Sequence, residues 1–346
     1  MTVQQKAFKS RRRYNQWVTN QTLEDFALRY TPVSARRWSA KRVVMTALSA
    51  ITFLALEAIG GALTLTYGFN YVVVAVILVS IIIFALSMPI AINAAKNGLD
   101  IDLLTRGAGF GYLGSTVTSL IYASFTFIFF ALEAAIMAMA LNMLFGLPLH
   151  FGYLIGSVVV IPLVTWGFTF ISRFQQFTQF CWLALQLLPF IFILIREHHV
   201  LQNWIDFPGF ITARDGSFDF LQLGAVCSVL LSLVSQVGEQ VDQVRFLPKP
   251  QHPARWRWYG AVIAAGPGWV VIGAIKILLG SFLAVLAFNY GLGAELASEP
   301  THMYLVAFSY VTHSSSTLLA LTGIFVVLSQ AQINVTNAYA GSIALV

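Results

Sequence analysis

The feature that most constrains this chain is a lone carboxylate near the middle of an apolar run long enough to cross a bilayer. The run is 114–144, and its one charged residue is Glu133. A charge at that depth costs about 2.5 to 3.5 kcal/mol on insertion scales, so such a side chain faces a cavity or a partner rather than lipid. Phe129 stands one helical turn earlier, and residues four apart share a helix face, so ring and carboxylate present to the same space. A flat apolar surface beside a hydrogen-bond acceptor suits a small, planar, nitrogen-rich ligand.

The rest of the sequence fits an integral membrane protein. Hydrophobic residues make up 58% of it and charged ones 10%, with a mean hydropathy of +0.77, far from a soluble domain. The apolar runs are continuous rather than alternating, which excludes a barrel and leaves an all-α bundle as the way to satisfy the backbone in lipid. Cys181 and Cys227 both lie in apolar runs, so neither a disulfide framework nor a zinc site is indicated. The net charge of +6 does not indicate nucleic acid, because the basic residues flank the spans.

Residues 1–42 form a polar, basic segment carrying ten Lys and Arg, with no signal-peptide pattern. The Arg11, Arg12 and Arg13 run reads as an anchor at an anionic leaflet. Residues 43–346 form the membrane domain. Runs of the required ~20 residues fall at 43–67, 71–95, 114–144, 151–171, 177–195, 220–241, 259–288 and 318–346, giving eight spans. The stretch 300–312 is apolar but too short to cross, and reads as a helix in an external loop. With the N-terminus inside, 17 of the 20 basic residues lie on the inner side; that bias predicts a multi-pass protein of the cytoplasmic membrane with a cytoplasmic N-terminus. The chain stops at the end of the eighth span, which reads as a fragment or a shortened product.

Glu57 in the first span, Glu133 in the third and Glu239 in the sixth are the intramembrane acids, and Lys276 in the seventh is the intramembrane base. Gly60 and Gly61 follow Glu57, and Gly238 precedes Glu239. Glycine weakens a helix, and unwound backbone at membrane depth is tolerated only where it lines an enclosed cavity. Breaks at matching positions of two halves point to a secondary transporter's binding site. Plainer readings stand beside these: Gly60 and Gly61 as a close-packing surface, Glu239 paired with Arg245, and Lys276 neutralising an acid.

The connection Ala95-Lys96-Asn97-Gly98-Leu99-Asp100-Ile101-Asp102-Leu103-Leu104-Thr105-Arg106, then Phe110-Gly111 and Gly114-Ser115, resembles a signature of the nucleobase:cation symporters, the purine and cytosine permease family. Asp242, Arg245 and Phe246 resemble its motif at the end of the sixth span, and Val335-Thr336-Asn337 its motif in the eighth. The resemblance implies a LeuT-like fold of five-plus-five inverted repeats, here cut after the eighth helix, with substrate held among spans 1, 3, 6 and 8. The implied substrate-binding set is Phe129, Glu133, Glu57, Gly60, Gly61, Ser235, Gln236, Glu239 and Asn337. Phe129 falls where the family places a stacking tryptophan. Leu233 replaces a second aromatic and Gly341 an asparagine, so half of the ring sandwich is missing.

Symport of a nucleobase or related small nitrogenous compound is the function this implies. The coupling residues are Glu57, Lys276 and Thr336. A sodium site would use Thr336 and first-span backbone, but Val335 replaces a second hydroxyl and weakens it. A buried Glu57 beside Lys276 suits proton exchange instead; a static pair is the bland alternative. No organic cofactor and no nucleic-acid partner is expected. A second class of function rests on residues 23–30, which resemble the lead-in of transporter-like domains fused to histidine kinases; such a domain would sense a ligand and pass the signal to a downstream module. No nucleophile, metal or phosphate-binding motif supports an enzyme.

Overall fold

A computed structural model describes residues 30–33, 36–165, 167–197, 199–211, 218–250 and 255–345, with no side-chain placement for 167–169. Residues 1–29, which hold the basic run and all but the last residue of the sensor-like lead-in, lie outside the described residues. The described chain is helical: α1 (Ala40–Ser49), α2 (Ala55–Tyr67), α3 (Phe69–Asn97), α4 (Ile101–Thr105), α5 (Gly111–Phe145), α6 (Leu149–Val158), α7 (Val160–Thr165), α8 (Gly167–Arg196) and α9 (His199–Ile205). It continues with α10 (Phe220–Leu231), α11 (Val237–Val244), α12 (Arg255–Ala265), α13 (Gly268–Asn289), α14 (Ala294–Ala297), α15 (Pro300–Ser309) and α16 (Ser315–Ala344). Among these residues, six helices are long and apolar enough to cross a membrane.

The two remaining expected spans are interrupted. The first is two short helices, α1 and α2, separated by 50–54, and the fourth is α6 followed by α7. The sixth tightens into a 3-10 turn at Ser232–Gln236 between α10 and α11. The fifth is longer than its apolar run predicts, because polar Ser172, Gln175 and Gln176 continue its helix: Ser172 and Gln175 find partners on α1 and α16, and Gln176 donates to Ser172 one turn earlier. The seventh bends at Gly266 and Pro267, separating α12 from α13.

Contacts sort the connections into two ends. At one, Arg36 Nε and Nη1 donate to the carbonyls of Thr31 (2.8 Å) and Lys96 (3.0 Å). There Trp38 stacks on Phe246 at 4.7 Å. Gly98, at φ 69°, ends α3 in the left-handed conformation directly under the Arg36 guanidinium, a position that a β-carbon would fill. At the other end, the amide of Phe69 donates to Phe207 O (3.0 Å) and that of Phe210 to Leu65 O (2.9 Å), with Phe207 and Phe210 edge-on to Phe288. Residues 30–33, 36–38, 97–106, 244–250 and 255–258 therefore share one end, and 65–69, 199–211 and the end of α13 the other. This is the alternation that the expected topology requires.

The helix expected to lie in an external loop is instead packed inside: Met303, Tyr304, Val306, Ala307 and Phe308 of α15 are buried, with Tyr304 against Phe325 of α16. Its apolar residues face the bundle all round, which a surface helix would not do.

Candidate functional site

The site assembles around the unwound segment 50–54. Glycine does not make this break, which contains Ala50, Ile51, Thr52, Phe53 and Leu54; distant side chains hold its backbone groups. Thr52 O accepts from Lys276 Nζ (3.1 Å) and from Ser329 Oγ. Thr52 Oγ1 donates to Ser329 O (3.0 Å), and Ala55 N, the first amide of α2, donates to Glu133 Oε1 (3.3 Å). A break placed in a bundle interior needs such partners, since an unmet backbone group there is costly.

Gly60 and Gly61, expected to mark the break, lie inside α2 and serve the plainer purpose. A β-carbon on Gly60 would overlap the carbonyl of Ile277, one on Gly61 would meet Met303 and Ala284, and one on Gly280 would overlap the backbone of Glu57. The α2 and α13 backbones therefore touch, as small residues allow, and Glu57 follows the break instead of preceding it. The same correction holds in the sixth span: the 3-10 turn precedes Gly238, which packs on the ring of Tyr122.

That close approach brings Glu57 Oε1 to 2.8 Å from Lys276 Nζ, both side chains being buried. Tyr304 OH donates to the same oxygen (3.3 Å) and accepts from Gln186 Nε2 (2.6 Å). Lys276 Nζ also lies 5.3 Å from the Trp182 ring centroid, and Trp182 Nε1 donates to Ser329 Oγ (3.1 Å). A buried pair is tolerated when such hydrogen bonds accompany it. Glu133 is fully buried and within electrostatic reach of both Glu57 and Lys276. Its second oxygen, and that of Glu57, has no hydrogen-bond partner.

Phe129 joins this constellation through Phe53 of the break, edge-on at 5.8 Å, and Phe125 at 4.6 Å. Phe53 is an aromatic neighbour that motif comparison missed, since no motif residue marks it. Asn337 is buried with an unpartnered Nδ2. Leu233, in place of the second aromatic, is buried in the apolar cluster around Phe53.

Other expected residues form separate groups. Gln236 and Gln243 donate to the two oxygens of Glu239, the latter at 3.4 Å, and Glu239 lines a cleft with Ala47, Ile51 and Trp269. Pairing of Glu239 with Arg245 is not what the structure contains: Arg245 lies 3.9 Å from Asp242 and 3.3 Å from Tyr339 OH. Ser235 sits half-buried in the 3-10 turn. Thr336 Oγ1 accepts from Gln175 Nε2 (2.8 Å) and donates to Gln332 O (3.3 Å), so its hydroxyl is satisfied by α8 and by its own helix. Outside the spans, a hydrogen bond to Glu299 raises the His302 imidazole pKa above its ordinary value, against partial desolvation.

No protein-family model and no curated protein matches the sequence. The fold does have a match among solved structures. The chain is similar to Mhp1, a nucleobase-cation-symport-1 family transporter, in a closed conformation with bromovinylhydantoin bound, at a TM-score of 0.66 and 16% identity. The likeness covers 93% of this chain and 70% of that one. The architecture is thus the LeuT-like fold, and with six helices long and apolar enough to cross a bilayer the protein is a multi-pass membrane protein.

Proposed function

We propose that the protein is a secondary transporter of a small planar nitrogenous compound, of the nucleobase and hydantoin kind, bound beside Phe129 and Glu133 and coupled to protons through Glu57 and Lys276. The observation that carries this reading is the interrupted first span: its ends and carbonyls are held by Glu133, Lys276 and Ser329 from three other helices. Broken helices at a bundle centre are where transporters of this fold hold substrate. The fold's solved neighbour, with a hydantoin bound, supports the ligand class.

Coupling through Glu57 follows from its surroundings. An ammonium already occupies the Thr52 carbonyl that a metal cation would need, and Thr336 is engaged elsewhere. Protonating Glu57 would release Lys276 and loosen the contact between α2 and α13. The orientation we infer puts the Arg36 and Phe246 end in the cytoplasm, so a single cysteine at Lys249 should resist an impermeant thiol reagent in intact cells while one at Glu295 reacts.

The test of ligand class is a thermal-shift panel of uracil, cytosine, adenine, hypoxanthine, hydantoin and allantoin against the purified protein. At least one compound should raise the unfolding midpoint in wild type and not in Glu133→Leu. A panel in which no compound acts on a folded wild type contradicts the reading.

A further inference from the structure

The sixth span carries two buried acids that differ in their company. Asp242 has the Arg245 guanidinium 3.9 Å away and accepts the hydroxyl of Tyr122 (3.3 Å). Glu239, one turn earlier, is equally buried and has neither. Among the described residues no cation pairs with it. Its two oxygens accept only side-chain amides, from Gln236 and Gln243.

The elements packed on α11 bring no positive charge to this point. α1 and the break present Ala47, Ala50 and Ile51, and the bent seventh span presents Ala265 and Trp269. α3 gives the carbonyl of Ser87 to the Gln240 amide (3.1 Å). Asp100, at the start of α4, acts on Asp242 and Arg245. The titratable groups within electrostatic reach of Glu239 are Asp242 on its own helix and Tyr122 of α5. An ionised Glu239 would thus stand beside a second acid, out of water and without a counterion. A carboxyl so placed is neutral or holds a cation.

The cleft beside it decides which. Gln240 Oε1 and Trp269 Nε1 line that cleft and have no hydrogen-bond partner, both residues being at most 7% exposed. One acceptor and one donor suit a single bridging water. The free space of about 10 Å3 is the room one water needs. A hard metal cation asks for a shell of oxygens, and those of Glu239 already accept amide N–H groups. A proton, carried off by water, is the cation that fits.

We propose that Glu239 is a second proton-carrying carboxyl of the transport cycle, holding a proton in this conformation and giving it to water on the Phe246 side when α1 moves off α11. Glu239 stands seven residues before Phe246, about 10 Å along the helix. In the release step the acid O–H breaks, the proton leaves on the cleft water, and the Gln236 and Gln243 amides hold the carboxylate left behind. Either amide can turn over to accept from the protonated acid. The break touches both acids: Ala50 and Ile51 line the Glu239 cleft, and Thr52 O binds Lys276, the partner of Glu57. This proposal rests on the proton-coupled reading above and adds to it the group that discharges the proton inward.

The test uses Glu239→Gln, which mimics the protonated acid, in the full chain. Its first readout needs no ligand. Infrared difference spectra of wild type against the variant at neutral pH should show the C=O stretch of a protonated carboxylic acid. Carboxylate stretches in its place would overturn the proposal, as would a variant that fails to fold, since the structure would then need the charge. The second readout uses proteoliposomes and whichever nucleobase or hydantoin of the panel above wild type binds. Accumulation driven by a pH gradient should fall about tenfold or more beyond any fall in exchange of labelled for unlabelled compound, because exchange needs no proton release. Accumulation at the wild-type level, or equal loss of both, would overturn the proposal. A wild type that exchanges the compound but ignores the pH gradient overturns the proton-coupled reading and this role with it, whatever the infrared band shows.

Discussion

The carboxylate of Glu133 in α5 caps the N-terminus of α2, accepting the Ala55 amide at 3.3 Å across the bundle interior. A carboxylate at a helix N-terminus meets both an unpaired amide and the positive end of the helix dipole. One oxygen therefore holds the half-helix, and Gln330 of α16 lies beside the same carboxyl. Glu133→Gln keeps an acceptor for the cap but loses the charge, so it should fold near normally and bind ligand tens of fold more weakly, a charged hydrogen bond being worth about 1.5 to 3 kcal/mol. Glu133→Leu removes the cap as well, and should lower the unfolding midpoint in a thermal melt.

Glu57 and Lys276 form a buried pair at 2.8 Å. Removing one partner of such a pair strands the other charge, at about 3 to 5 kcal/mol, whereas replacing both by apolar groups is close to neutral. Lys276→Met should therefore cost most, Glu57→Gln less because it mimics the protonated acid, and the double variant less than the sum. A double-mutant cycle on unfolding midpoints measures the coupling.

Gly60→Ala and Gly280→Ala each put a methyl group into the backbone contact between α2 and α13. Overpacking of this kind costs about 1 to 3 kcal/mol. Because the contact also sets the Glu57 to Lys276 distance, either variant should impair uptake more than expression, read by transport per folded molecule.

His302 and Glu299 give a pH signature at the surface. The imidazole pKa is raised by the Glu299 hydrogen bond, so the stability it adds is complete below the ordinary value near 6.5 and fades as pH rises through the raised one. The wild-type unfolding midpoint should fall over that rise more than that of His302→Asn. The effect is small, since the side chain is 36% exposed.

The parts of this fold legible in the sequence are those with local causes. Uninterrupted apolar runs place α3, α5, α10 and α16, and a deep carboxylate marks Glu133, because burial of apolar length and the cost of a charge act on each segment separately. The first break was not legible at its true place: residues 50–54 contain no glycine or proline, and Lys276, Ser329 and Glu133 stabilise it from far along the chain. The glycines that mimicked a break, Gly60 and Gly61, answer to a helix seven spans' sequence cannot reveal from one segment, the face of α13 at Ile277 and Gly280. Phe53 escaped for the same reason, since only the packing of the break against α5 brings it to Phe129.

The central claim is that ligand held at this broken helix is carried across the membrane. Uptake of the compound that most stabilises the wild-type protein, measured in proteoliposomes with an imposed pH gradient and without sodium, tests it directly. The account predicts accumulation driven by the pH gradient, absent in Glu133→Leu and uncoupled from the gradient in Glu57→Gln. Binding with neither uptake nor counterflow would contradict it and favour a ligand-sensing membrane domain, and strict sodium dependence that survives Glu57→Gln would remove the proton route.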